Sequence, residues 1–153
     1  MQHKVTPTEI ALFSRSPTIG AWWEQLSKVD PKRAPKPKPD LLDQLLFESG
    51  HKHEQKLIEN LEANRKKVKK LSGKMTSEAF EETLHAVQDG QYDFIHQASL
   101  QNDYLRGSVD LLERIDKPSK LGNWSYIPIE CKLSSHPKPI YLVQACAYCE
   151  LLE

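Results

Sequence analysis

The stretch "GSVDLLERIDKPSKLGNWSYIPIECKLSSH" (residues 107–136) carries three residues that could do chemistry: Asp110, Glu130 and Lys132. They sit inside two β-rich runs, where a sheet favours apolar side chains. Side chains alternate along a strand, so Ser108, Asp110 and Leu112 are expected on one face of the first run. In the second run Pro128, Glu130 and Lys132 share a face, while Ile127, Ile129, Cys131 and Leu133 share the other. If the runs pair, Asp110 lies beside Glu130. Two adjacent carboxylates repel, and one would hold its proton unless a cation lies between them. Hard oxygen donors at the end of a sheet suit Mg²⁺, which keeps several waters and often takes one or two carboxylates plus a substrate phosphate. A lysine beside them can position a water or neutralise a developing phosphorane. That is the chemistry of metal-assisted phosphodiester hydrolysis. Taken alone, the same three residues also suit a cross-strand ion pair on a wet face.

The elements that must position these residues follow from local patterns. "VTPTEIALFSRS" starts a helix, with Thr6 as cap, Pro7 in the first turn and Glu9 at capping-box spacing. "SPTIGAWWEQLSKV" offers a second short helix, with Ser16 as cap and Trp22 and Trp23 as core anchors. Residues 30–40, "DPKRAPKPKPD", form a Pro/Lys-rich loop, because each proline removes a donor. A solvated loop is its plain reading, and contact with phosphates is the functional one. "DLLDQLLFESGHKHEQKLIENLEANR" is a long helical pattern placing Leu42, Leu45, Leu46, Ser49, His53, Leu57 and Leu61 on one side. Gly50 interrupts it and allows a kink or a close approach. "KKVKKL" is a short basic strand or turn. "TSEAFEETLHAVQDG" is an amphipathic helix with Phe80, Leu84 and Val87 on one face and Gly90 past its end.

Three β-rich runs follow at 92–101, 104–115 and 123–133, bounded by "ND" and "KPSKLGN" turns. A helix after Pro139 closes the chain. The fold class expected is α/β: a central mixed sheet that begins as an antiparallel meander, flanked by helices and preceded by N-terminal helices. The 153 residues suffice for a single domain with a real core. The last helix runs to "CELLE" without a glycine, proline or polar cap, so a fragment of a longer chain is expected.

Lys plus Arg number 21, as do Asp plus Glu, so the formal net charge is zero. This counts mildly against an obligate nucleic-acid binder but leaves room for local basic patches. With no apolar run of about 18 residues, no transmembrane helix is expected, and the N-terminus shows no signal-peptide pattern. Three cysteines without framework spacing suggest a reducing compartment, hence a cytoplasmic location.

The arrangement as a whole resembles the PD-(D/E)xK nuclease superfamily, and more closely its RecB-like branch. "GSVD" matches the glycine-led aspartate strand, "ECK" the (D/E)xK strand, and Gln144 and Tyr148 in "QACAY" the Q-x-x-x-Y helix. "GHKHE", with Gly50, His53 and Glu54, matches the upstream G-x-x-H-E pattern. "IHQASL" and the W-x-Y before "ECK" look like RecB-like nucleases often joined to a helicase. The resemblance spans roughly residues 5–153 and implies a restriction-endonuclease-like core. By that resemblance Asp110 and Glu130 hold Mg²⁺, for which Mn²⁺ can substitute, with the Cys131 carbonyl completing the protein ligands. Lys132 orients or activates the attacking water. His53 is the additional metal ligand, with Glu54 as the alternative. Gln144 and Tyr148, four apart on one helix face, contact the DNA strand and steady the site. The implied activity is a Mg²⁺-dependent deoxyribonuclease in DNA repair, processing or defence, with DNA and a helicase domain as partners.

Rival readings attach to other features. Cys146 and Cys149 form C-x-x-C, and with His51 or His53 they suggest a small zinc module. Some RecB-like nucleases hold an iron–sulfur cluster through an upstream cysteine; here the place near "LFSRS" has Ser14, which counts against a cluster. Small buried thiols are the simpler expectation. A nuclease-fold module that binds DNA or a partner protein without cutting is the alternative to the enzyme.

Overall fold

The computed structural model describes residues 4–16, 19–36 and 38–153. The elements are α1 (Pro7–Arg15), α2 (Ile19–Val29), α3 (Leu41–Ala63), β1 (Val68–Lys70), α4 (Ser77–Asp89), β2 (Phe94–Gln101), β3 (Arg106–Ile115), β4 (Ser125–Ile129) and α5 (Pro139–Glu150). This is an α/β architecture with one four-stranded mixed sheet of order β1-β2-β3-β4. β1 runs parallel to β2, and β2, β3 and β4 form the antiparallel meander. The "KKVKKL" segment is thus a parallel edge strand. Among the described residues no helix is long and apolar enough to cross a membrane.

The helix boundaries follow local chemistry. Thr6 and Glu9 form the expected capping box on α1, and Thr76 caps α4. Gly90 ends α4 in the left-handed conformation at φ 62°, which glycine adopts without a Cβ clash. The Ser16 hydroxyl accepts from the Gly20 amide at 3.2 Å at the start of α2, and residues 17–18 lie outside the described residues. Residues 30–36 and 38–40 form no helix or strand, as the prolines dictate.

Two apolar clusters hold the sheet. α4 and α5 supply Ala86, Val87 and Tyr148 to the larger, against Ile95, Ala98, Leu100, Val109 and Leu112. α3 supplies Ile58, with Leu57 and Leu61, to the smaller, against Phe94 and Leu111. α1 packs on α5 and α2 on α1. Buried Glu9 joins those N-terminal helices, accepting from Thr6, Gln25 and Lys28. Burial alone would raise its pKa, but the Lys28 ammonium and the Thr6 donors lower it to about 2.

Three packing expectations are corrected. Trp22 and Trp23 are exposed and do not anchor the core. Leu84 is exposed too, and α4 buries Ala79, Thr83, Ala86 and Val87 instead. On α3 the expected stripe is only partly covered: Leu57 and Leu61 are half-buried beside buried Ile58, whereas Leu42, Leu45, Leu46 and His53 are exposed.

Candidate active site

The β3–β4 register brings the two carboxylates together. Leu111 pairs with Ile129, so the next step places Glu130 opposite Asp110. β4 stops at Ile129, and Glu130, Cys131 and Lys132 leave the sheet, where a strand through Leu133 was expected. Leaving the sheet frees the Cys131 amide, which donates to Asp110 Oδ2 at 2.7 Å. Lys132 Nζ donates to Glu130 Oε2 at 2.6 Å. The Glu130 side chain is only 7% exposed, and its second oxygen, Oε1, is buried with no hydrogen-bond partner.

The electrostatics follow from that enclosure. Burial raises the pKa of Asp110, against the Cys131 amide and the Lys132 charge, and Glu54 adds to the rise. Burial likewise raises Glu130; Lys132 opposes it, while Asp110 and Glu54 reinforce it. The Cys131 thiol is pushed up to about 11 by burial among the charges of Asp110, Glu54 and Glu130. Burial would lower Lys132, but its bond to Glu130 outweighs that and the net shift is upward.

α3 contributes the third carboxylate. Successive helix residues point about 100° apart, so His53 and Glu54 cannot both face the sheet. The structure turns Glu54 inward and leaves His53 exposed, as is His51. Of the two candidates in the "GHKHE" pattern, Glu54, the alternative to His53, is the one whose charge reaches Asp110 and Glu130. Glu54 Oε1 hydrogen-bonds to His96 Nε2 at 2.8 Å and accepts from Gln97 Nε2 at 2.5 Å. Neither His96 nor Gln97 was singled out individually by the sequence reading. The available signal was two adjacent polar residues in the middle of the apolar run "FIHQASL".

Tyr148 is 3% exposed, and its hydroxyl donates to the Ser108 carbonyl at 2.6 Å. It braces β3 two residues before Asp110, the steadying part of its expected role, from a position with little exposed surface. Gly107 makes this brace possible: a Cβ there would lie 2.8 Å from Pro7 Cδ and 2.9 Å from Tyr148 Cε1. Gln144 is partly buried and lines a cavity of about 380 Å³ with Thr6, Lys28, Lys132 and Tyr141. The W-x-Y pair packs rather than reacts: Trp124 Nε1 donates to the Val87 carbonyl and the Tyr126 hydroxyl to the Tyr92 carbonyl. Cys146 and Cys149 are exposed on α5, not buried as expected.

Among the described residues no three His, Cys, Asp or Glu side chains converge into a ready metal cage. The donor set fits a hard cation that needs few protein ligands: two facing, partly buried carboxylates, one with an orphaned oxygen, within the electrostatic reach of a third on Glu54. The chain matches no protein-family model, no curated protein and no solved structure.

Proposed function

We propose that this chain is a metal-dependent DNA nuclease domain with a restriction-endonuclease-like core of the RecB-like kind. The observation that carries this reading is the partly buried Asp110–Glu130 pair, with Glu130 Oε1 unpartnered and Lys132 on the other oxygen. Two facing carboxylates largely withdrawn from water repel each other, and Lys132 is the one cation bonded to the pair, on Glu130 alone among the described residues; burial raises the pKa of both groups against that charge. Asp110 and Glu130 would hold Mg²⁺ or Mn²⁺ with the Cys131 carbonyl, and Glu54 would close the set from α3. Such an ion supplies Lewis-acid polarisation of the phosphate and a more acidic water.

The remaining roles belong to the chain. The Lys132 ammonium, fixed by Glu130, orients the attacking water and balances the charge that gathers on the phosphate oxygens. The water oxygen bonds to phosphorus as the bond to the leaving oxygen breaks, the water giving up its proton to solvent and the leaving oxygen taking one from solvent. Gln144 and Tyr141 line the cavity beside Lys132, where the substrate strand would lie. The Tyr148 hydroxyl on Ser108 keeps the aspartate strand in place. A helicase domain in the same or another chain is the partner this reading favours.

The test pairs wild type with Lys132→Ala on labelled linear single- and double-stranded DNA, in Mg²⁺, Mn²⁺ or EDTA. Wild type is expected to cut only with metal, and the variant to lose about a hundredfold or more. A folded wild type that leaves every substrate intact overturns the reading, and salt-dependent binding without cleavage would then mark a silent DNA-binding module.

A further inference from the structure

His96 and Gln97 are neighbours in β2, yet both reach the same oxygen of Glu54. On a regular strand adjacent side chains point to opposite faces, so this is forbidden. Gln97 evades the rule through its backbone. Its φ is 55°, in the left-handed region that non-glycine residues rarely adopt. The distortion sits at one rung of the sheet. His96 pairs with Leu111 and Ala98 with Val109, and no pairing joins Gln97 to Asp110 between them. The alternation of both strands changes phase there. Ile95 and Leu112 join the larger core on one side of the rung, and Ala98 and Val109 join the same core on the other. Strict alternation would place Ile95 and Ala98 on opposite faces. Asp110 is consequently not bound to the face of Leu112, as a regular strand would require.

Gln97 is also pinned from outside. Its Oε1 accepts from the Ser108 hydroxyl at 3.3 Å while its Nε2 holds Glu54. Gly73, at φ 64°, closes over it: a Cβ there would lie 2.5 Å from Gln97 Oε1 and 3.1 Å from Ser108 Oγ. A strained residue on the rung of a candidate catalytic aspartate, held by three separate segments, has the character of a device that fixes a geometry.

We propose that Gln97 is a positioning residue, a clamp that, with His96, holds one oxygen of Glu54 and leaves the other directed to the cation shared by Asp110 and Glu130. The inference rests on the metal-dependent reading of the site given above. Residues that orient metal-binding side chains typically affect metal affinity by about 10- to 100-fold when replaced. The clamp is therefore read by metal binding rather than by cleavage.

The experiment titrates the full chain with Mn²⁺ and follows free Mn²⁺ by electron paramagnetic resonance. Wild type, Gln97→Gly and Gly73→Ala are compared, with circular dichroism to verify folding. Gln97→Gly accepts the left-handed backbone without strain and removes the side chain that holds Glu54 and accepts from Ser108, so binding is expected to weaken about tenfold or more in a folded chain. Gly73→Ala should weaken it in the same direction by displacing the Gln97 amide. If Gln97→Gly fails to fold, Gln97→Asn serves, since asparagine tolerates the conformation and its amide falls one methylene short of Glu54. Mn²⁺ binding by wild type with undiminished affinity in the folded Gln97 variant overturns the clamp alone. No Mn²⁺ binding by wild type overturns the metal reading and the clamp together.

Discussion

The two halves of α3 share one helix and one hydrophobic rhythm, and they end in opposite surroundings. Residues 51–61 dock on the sheet: Ile58 is buried against Phe94 and Leu111, flanked by Leu57 and Leu61. One turn before Ile58, the same face delivers Glu54 to the candidate site. Residues 41–49 carry Leu41, Leu42, Leu45, Leu46 and Phe47, all exposed, with Leu41 at 73%. Both halves would be read as amphipathic, yet only one has a partner surface. Periodicity tells which residues of a helix could be buried together; the docking of the helix tells which are.

The largest break in that comparison comes from Ile58. Ile58→Ala empties a well-packed position and should cost about 3 kcal/mol in urea unfolding. Because Glu54 lies one turn away on the same face, the variant should also weaken metal binding beyond its effect on stability. A cost below about 1 kcal/mol would mean that the second half of α3 is not firmly docked in solution.

Gly50 marks the join between the halves and gives a smaller effect of opposite sign. The helix runs through it without interruption, although a kink there was one expectation. An added Cβ would meet only Leu133 Cδ1, at 4.0 Å, an ordinary contact. Gly50→Ala should therefore stabilise the chain by about 0.5–1 kcal/mol through helix propensity. Destabilisation would show instead that the join bends in solution and that the two halves move separately.

What could be read from sequence was what local chemistry decides. The Thr6–Glu9 box, the Gly90 stop, the irregular backbone of residues 30–36 and 38–40 and the order of the three meander runs appear as the residues demand, although the third run ends four residues early. The approach of Asp110 to Glu130 was also legible, because a meander pairs neighbouring runs and the intervening turn limits their register. What stayed hidden depends on one residue of phase or on tertiary docking. His53 and Glu54 differ by one helical step, and only the way α3 lies on the sheet selects Glu54. Tyr148 shares a helix face with Gln144 but sits one turn deeper, beneath Gly107, so it braces β3. The inversion at Gln97 left no mark that alternation could detect, because alternation assumes the regular backbone that Gln97 abandons. Trp22 and Trp23 were misplaced for a plainer reason: size makes an indole a good core residue, but nothing in α2 compels a neighbour to cover it.

The smallest effect is expected in the first half of α3, and it sharpens the contrast most directly. Leu46 is 53% exposed, so Leu46→Ser removes little apolar area from contact with other atoms. Serine is a slightly poorer helix former than leucine, and that term alone gives a loss of about 0.5 kcal/mol or less. Set beside Ile58→Ala, the same kind of truncation on the same helix should then differ several-fold in cost. The denaturation midpoint should also be independent of protein concentration. A loss above about 1.5 kcal/mol that grows with concentration would show that another copy of the chain covers this leucine row in solution. The two halves would then differ in which partner buries them, not in whether they are buried.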